Sequence, residues 1–464
     1  MLISDNGRRN SPRMLTLVST LVAVGALVAT AVTANAAVTS GSRLWAKHYD
    51  GPGNADDSAN AVVLSADGRT VFVTGGSDGG STTNSDFATR AYDASTGAKR
   101  WTARYDGPVS FDDTARAIAV SPDDSTVFVT GESSGSAAAN DNDYATVAYD
   151  ASTGGELWVK RLNGADGSND APYSVTTSPD GGSVFVTGTS LSFTTAFDFV
   201  TIAYDAATGA KLWKKRYDGP VSGIDEAFSV VPSPDGAHVF VTGLSGSKHY
   251  FDFQTIAYDA STGAKAWKAR YDGPTHFDDY PTAMAISPDG AHLFVTGTTT
   301  YGYRDYLTIA YDTTTGASEW ATSTAGPFLG DDVGQAIAVS PDGGQVFVTG
   351  FESTIAYDAS TGAEMWNELP GKLQDGRAIA VSPDGSTVYA TGSFFAPTGG
   401  QDFATLAFDA ATGATRWVRT VDTSGGPDVA YAVAVSPDGS TVFSAGLSAG
   451  VSSGGDYLTI AYAA

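Results

Sequence analysis

Eight tryptophans, Trp45, Trp101, Trp158, Trp213, Trp267, Trp320, Trp366 and Trp417, recur at successive spacings of 56, 57, 55, 54, 53, 46 and 51 residues. No tryptophan falls outside this series, so each one marks a copy of a longer repeat. A period near 50 residues confines the chain to architectures that copy one supersecondary unit and stack it. The unit is clearest over Asp225–Pro274. An acidic start leads into Ala-Phe-Ser-Val-Val, then Ser-Pro-Asp-Gly, Val-Phe-Val-Thr-Gly, Gln-Thr-Ile-Ala-Tyr and Asp-Ala-Ser-Thr-Gly, and ends in a Trp-bearing segment. No stretch keeps a 3.6-residue apolar period, and the unit reads as four strands.

The turns between the strands have defined chemistry. Ser-Pro-Asp-Gly at Ser287–Gly290, Ser340–Gly343, Ser382–Gly385 and Ser436–Gly439, with Ser121–Asp124 as a variant, puts Pro at i+1 of a type I turn. Asp-Ala-Ser-Thr-Gly at Asp93–Gly97, Asp150–Gly154, Asp259–Gly263 and Asp358–Gly362 is a hairpin loop whose Gly is free to take positive φ. Val-Phe-Val-Thr-Gly and Thr-Ile-Ala-Tyr lack a polar face, so both faces of their sheet must be covered. Small four-stranded sheets covered on both faces and repeated in this way describe an all-β, eight-bladed β-propeller of antiparallel blades. Small residues in the first strand, as in Ala117-Ile118-Ala119-Val120, suit blades crowding toward an axis. Eight copies of the first three strands are present, but the last copy stops before its Trp-bearing strand. The chain begins instead with an orphan strand of that type, Ser42–Tyr49. It is expected to complete the last blade and close the ring, leaving no sheet edge between the two ends.

Residues Ala203-Tyr204-Asp205-Ala206-Ala207-Thr208-Gly209-Ala210-Lys211-Leu212-Trp213 and their counterparts resemble the repeat of PQQ-type quinoprotein propellers. The Ser-Pro-Asp-Gly and Val-Phe-Val-Thr-Gly segments are similar to YVTN and WD40-like bacterial repeats. The resemblance covers residues 42–463 and implies architecture; one fold hosts many functions. It also implies an extracellular PQQ-dependent oxidoreductase as an alternative to a binding module. Such enzymes use a cysteine pair near the quinone, a Trp beneath it, and Ca²⁺ with an Asp base. This chain has no Cys, and its eight Trp all sit in the repeat strands. No catalytic or cofactor position carries over, and PQQ is assigned no site.

Before that domain, Arg8, Arg9 and Arg13 precede an apolar run from Leu15 to Val32, followed by Ala34-Asn35-Ala36. These are the parts of a secretory signal peptide. The expectation is cleavage near Ala36, a signal peptide over 1–36 and a single propeller domain over 37–464, secreted and extracellular. An uncleaved anchor competes with that reading, because the run approaches the ~18 residues that span a bilayer; its Ala, Thr and Gly content favours cleavage.

A formal charge of −25, from 26 Lys and Arg against 51 Asp and Glu, argues against nucleic acid, whose phosphates require clustered cations. It equally disfavours anionic membranes. Acids concentrate at two repeat positions. Asp56-Asp57, Asp112-Asp113, Asp225-Glu226, Asp278-Asp279 and Asp331-Asp332 open the first strand, and Asp86, Asp143, Asp198, Asp252, Asp305, Asp402 and Asp456 open the third. Both sets belong on the face bearing the second-to-third and interblade connections. They read either as Ca²⁺ ligands, since that ion takes six to eight oxygens, or as acceptors for backbone N–H groups of their own loops. The second reading is favoured, because no Asp-x-Asp-x-Asp-Gly loop is present. Arg104, Arg216 and Arg270, two residues before Asp106, Asp218 and Asp272, are expected in local ion pairs, and the Trp ring in blade packing.

The five His are scattered over different repeat positions, no Gly-x-Ser-x-Gly precedes a helix, and no glycine-rich loop with Lys could cradle phosphate. A polysaccharide- or peptide-processing enzyme is therefore the third reading. Departures from the repeat point elsewhere. The loops between second and third strands carry Lys248, His249, Tyr250, Tyr301, Tyr303, Arg304, Phe394 and Phe395 as candidate ligand-binding residues, with Leu191-Ser192-Phe193 of the same kind. Aromatics among adaptable polar neighbours suit contact with an extracellular polymer or protein. The sixth unit is short, passing from Gly350 through Phe351-Glu352-Ser353 to Thr354, and a notch is expected there. The sequence therefore predicts a secreted, monomeric binding or scaffold propeller that recognises its ligand on an acidic, loop-bearing face.

Overall fold

The buried Val-Phe-Val-Thr and Thr-Ile-Ala-Tyr segments pair as the two middle strands of each sheet, and everything else is arranged around them. The computed structural model describes residues 39–464 apart from 81–83, 137–140, 165–168, 248–249, 327–331, 369–372, 396–399, 424–425, 450–453 and the side chain of Tyr301. The expected signal peptide, Lys248 and His249 lie outside the described residues. Thirty-two described strands form eight four-stranded antiparallel sheets. The blades run Asp57–Tyr105, Asp113–Leu162, Asp170–Tyr217, Asp225–Tyr271, Asp279–Thr324, Gly334–Glu368, Asp375–Val421 and Val429–Ala463. The first strands of neighbouring blades touch all the way round, including blade eight against blade one. They form the inner wall of the ring, and the Trp-bearing strands its rim.

The orphan strand Arg43–Tyr49 pairs antiparallel with Gly455–Ala463, from Arg43 opposite Tyr462 to Tyr49 opposite Tyr457, and so supplies the fourth strand of blade eight. Trp45 buries its ring there and donates from Nε1 to the Ala94 carbonyl of blade one at 2.9 Å. The same bond recurs at Trp101, Trp158, Trp213, Trp267, Trp320 and Trp366, each reaching the next blade. These seven tryptophans are therefore interblade staples, while Trp417 reaches blade eight through its ring, 5.8 Å from Tyr462, without the hydrogen bond.

Buried threonines in the middle strands satisfy one another, as Thr242 and Thr255 do at 3.1 Å between Oγ1 atoms. This lets a polar residue stand in the core without an orphaned hydroxyl. The glycine ending Val-Phe-Val-Thr-Gly has a different cause. In blade four the inner strand shifts register between Ala227 and Ser229, opposite Gly243, and a Cβ on Gly243 would lie 1.9 Å from the Glu226 carbonyl oxygen. The bulge brings backbone against backbone, a place where only glycine fits.

Blade six is shorter, with five residues in Thr354–Asp358 against nine in Gln401–Asp409 of blade seven. The missing residues come from the end that bears the second-to-third loop, as Phe351–Ser353 links those strands directly.

Candidate functional site

Each blade starts its first strand, ends its fourth and turns between second and third at one end, so these three connections share one face of the ring. The acidic pairs stand there, and their two members do different work. The buried acid that starts the strand, the second member of each Asp-Asp pair and the first of Asp225-Glu226, accepts the backbone N–H of the Gly six residues earlier. Asp57 takes Gly51, Asp113 takes Gly107, Asp225 takes Gly219 and Asp279 takes Gly273, at 2.6–2.7 Å. The first member reaches the preceding blade: Asp56 accepts from Gly455, Asp112 from Ser85 and Asp278 from Phe251. Backbone acceptance, the reading favoured from sequence, thus accounts for these acids, with the added finding that three of the seven stitch blades together.

The third-strand acids meet the arginines. Arg104 pairs with Asp86 and Arg161 with Asp143, both at 2.8 Å, and Arg216 and Arg270 pair with Asp198 and Asp252. The partner is across the sheet, not two residues along the chain: Arg104 stands opposite Ala88, and Asp86 lies two positions further on the same face.

Burial pushes the carboxyls of Asp113, Asp170 and Asp252 up to about 6, against the lowering effect of Ser133, Ser190 and Arg270 respectively. On the opposite face, hydroxyls hold Asp259 (Ser261, Thr262) and Asp384 (Ser382, Ser386) down to about 2. The raised group binds protons in the folded state first, so its contribution is full below about pH 4 and is lost as pH rises through about 6. The lowered group contributes above about pH 4 and loses that contribution as pH falls toward about 2. With chelator present, the melting temperature is expected to be several degrees higher at about pH 5 than at about pH 7.5, and to fall again below about pH 3.5. A melting temperature rising steadily from pH 5 to 7.5 would contradict this.

Above the acids lies an arc of side chains that the repeat does not dictate. On the inner wall, the Arg116 guanidinium lies 5.2 Å from the Tyr173 ring centroid and pairs with Glu132 at 2.6 Å. Tyr173 in turn packs on Phe228 at 5.6 Å. Beside them a hollow of about 160 Å³ is lined by Glu132, Asn142, Asn169, Asp170, Tyr173 and Glu226 among others. At the junction of blades four and five, Tyr250 meets Phe277 edge-on at 5.2 Å, Phe251 meets Tyr280 at 5.7 Å, and Arg304 lies over Tyr280 at 5.2 Å. Tyr303 is 53% exposed and Phe193 79%. Larger hollows on the opposite face lie between successive Ser-Pro-Asp-Gly turns and are lined by repeat residues.

Of the residues singled out from sequence, Tyr250 and Arg304 thus join one junction, each with a partner the sequence did not suggest. Tyr303 stands on the neighbouring hairpin of blade five. Phe395 is exposed on blade seven, whereas Phe394 is half-buried against that blade's apolar cluster with Leu373 and Leu406. Phe277 was missed because Phe-Asp-Asp occurs in two copies, at Phe111 and Phe277, and reads as part of the acidic start. Arg116, Tyr173 and Phe228 were missed although a signal existed. The third residue after the buried acid is Asn60, Arg116, Tyr173, Phe228, Thr282, Gln335 and Tyr431 in seven of the blades, one of the most varied positions of the inner strand.

A quinone fits this site poorly. The stacking Trp that the quinoprotein resemblance implies is absent from the inner wall, because all eight Trp lie in the outer strands, and no cysteine pair exists. A multiply carboxylated cofactor would also face the acids.

Comparison with known proteins supports the architecture. The chain matches the PQQ_2 family, described as outer membrane protein assembly factor BamB, over residues 143–277 and 252–455. No curated protein sequence matches it. Among solved structures it is similar to BamB from Moraxella catarrhalis, at 12% identity and a TM-score of 0.53, covering 91% of this chain and 99% of that one. Sqt1 from Chaetomium thermophilum is similar at 12% identity and a TM-score of 0.60, covering 91% and 99%. The Dos1 propeller is similar at 12% identity and 0.57, covering 91% and 95%. These likenesses concern the fold, and the match over more than half of the sequence concerns the family. The chain belongs to the PQQ_2 family of β-propeller repeat proteins, the BamB type.

Proposed function

We propose that this protein is a secreted, monomeric binding and scaffold propeller that holds an extracellular polymer or protein on its loop-bearing acidic face. The observation that supports this is the arc Arg116–Tyr173–Phe228 and Tyr250–Phe277, Tyr280–Arg304. These side chains depart from the repeat, cluster on one face and make ring and cation contacts there. Elsewhere seven of the eight Trp donate to the next blade, and the buried acids at the strand starts accept backbone N–H bonds. Exposed aromatics offer stiff, amphipathic contact area, and the carboxylates around them accept hydroxyl or ammonium donors. A neutral glycan or a cationic peptide segment meets both demands, whereas a polyanion would be repelled. Sqt1 has been solved with the N-terminus of the ribosomal protein L10 bound, a precedent for a polypeptide on this kind of fold.

The test is retention of the mature chain on insoluble cell-wall glycans and on immobilised basic peptides, with Tyr250→Ala plus Tyr303→Ala as the variant. Losing two aromatic contacts at about 1 kcal/mol each weakens binding by about 10-fold or more. Equal retention of wild type and variant on every matrix, or binding undiminished by blocking this face, would remove the proposal.

A further inference from the structure

One core position of the repeat is broken once. In the third strand the residue between Thr and Ala is valine, isoleucine or leucine in seven blades, as at Ile202 and Ile256, and arginine in blade one, at Arg90. Arg90 lies between Ala88 and Tyr92 on the strand face that packs against blade eight. It is 8% exposed, its Nε has no hydrogen-bond partner, and no carboxylate is paired with it among the described residues. What it meets is aromatic. Its guanidinium carbon lies 4.2 Å from the ring centroid of Tyr49 and 5.2 Å from that of Tyr92. A guanidinium withdrawn from water without an acid is costly, and the repeat holds an aliphatic alternative at every sibling position.

Tyr49 ends the strand that closes the ring. Its hydroxyl accepts from Arg104 at 2.9 Å, and its ring meets Tyr457 edge-on at 5.4 Å. The hydroxyl contact belongs to the repeat, since Arg161 reaches Tyr105 in the same way. The cation buried against the ring face does not. In the seam of blades two and three the corresponding pair is Leu162 and Ile202, both in one apolar cluster. In the seam of blades three and four the cation near Tyr217 is the exposed Lys268, which comes from the outer strand to 5.3 Å. The closing strand is also the one outer strand that its own sheet does not deliver by a hairpin, because it pairs with Gly455–Ala463 from the other end of the domain. A backbone ladder supplies affinity for any strand, and side chains supply the choice.

We infer that Arg90 is the anchor of the closing strand, a cation kept in blade one to grip the ring of Tyr49 and make the last seam selective for an aromatic at that place. An isoleucine there would pack against any apolar side chain, whereas a desolvated guanidinium is compensated by the face of a ring. The position of the anchor suits the task. Trp45 bonds Ala94 only 49 residues along the chain, and Arg90 and Tyr92 stand on the strand that leads into Ala94. Blade one thus holds the orphan strand through nearby side chains, and Gly455–Ala463 completes the ladder from the far end.

The test uses the full chain and reads amide hydrogen exchange over Arg43–Tyr49, which reports local opening of the closing strand. Tyr49→Leu should speed exchange there by about 10-fold when Arg90 is present, and by no more than about 2-fold when combined with Arg90→Ile. That double variant reproduces the native pair Leu162 and Ile202, so it should fold. Arg90→Lys should keep the sensitivity to Tyr49→Leu, and Arg90→Met, uncharged and of similar length, should lose it. An effect of Tyr49→Leu that is equal or larger with Arg90→Ile, or a sensitivity that survives in Arg90→Met, would overturn the proposal.

Discussion

Removing residues 42–50 is expected to abolish the cooperative melting of the whole ring, lowering its midpoint by tens of degrees or leaving the protein insoluble. The segment Arg43–Tyr49 is a single strand, yet it is the outer strand of blade eight and half of the seam to blade one. Without it, Gly455–Ala463 becomes an open edge of buried, apolar residues, the kind of edge that pairs with other chains. Loss of Trp45 also uncovers Tyr92 and Phe443 and orphans the Ala94 carbonyl. Truncating one buried Trp costs about 3–5 kcal/mol, and the lost ladder adds about 1 kcal/mol per hydrogen bond. Together these approach the roughly 5–15 kcal/mol that holds a domain folded. Calorimetry of residues 37–464 against 51–464 measures the effect, and a peptide of residues 42–50 added in trans should restore part of it. An unchanged transition would mean that the ring does not depend on this closure.

That closure is legible in the sequence because the repeat poses the same physical demand eight times, and an outer strand without its blade stands out against seven complete copies. The role of the acids was legible only in part. Asp56 and Asp57 are identical letters at adjacent positions, but Asp57 folds back to Gly51 while Asp56 bonds Gly455, 399 residues away across the closing seam. Sequence shows local partners and hides those that the ring brings together. Arg104 illustrates the same limit, since the nearest acid along the chain, Asp106, is not the one it pairs with. Among the loop aromatics, Phe394 and Phe395 are neighbours in one strand and therefore face opposite ways, one toward the blade's apolar cluster and one into solvent. Composition cannot decide which is which. Tyr250 and Arg304 became part of a cluster only through Phe277 and Tyr280, residues that the repeated acidic start concealed.

Trp213→Ala is the point substitution expected to do the most damage. The ring lies between Phe185 of its own blade at 5.9 Å and Tyr258 of the next at 6.1 Å, and its Nε1 donates to the Ala260 carbonyl at 2.9 Å. Truncation leaves a cavity in the seam and an acceptor without its donor, about 3–5 kcal/mol, or a melting temperature lower by about 3–6 °C for a ring of this size. Trp213→Phe keeps much of the packing and loses the hydrogen bond, so about 1–3 kcal/mol is expected. Gly263 supplies an independent check, because it has φ of +65° and a Cβ there would lie 2.7 Å from the Trp213 ring. Gly263→Ala therefore carries a backbone penalty and a clash with both the Lys215 side chain, at 2.6 Å, and the Trp213 ring, and only the ring's share of that clash disappears when the ring is gone. The double variant should be more stable than the sum of the single effects implies, with a coupling of about 0.5–3 kcal/mol. Strict additivity would show that the ring and the glycine do not meet in solution. If Trp213→Ala instead left the melting temperature unchanged and reduced binding to the glycan or peptide matrices, the tryptophan ring would be a ligand surface and not the staple that its buried hydrogen bond indicates.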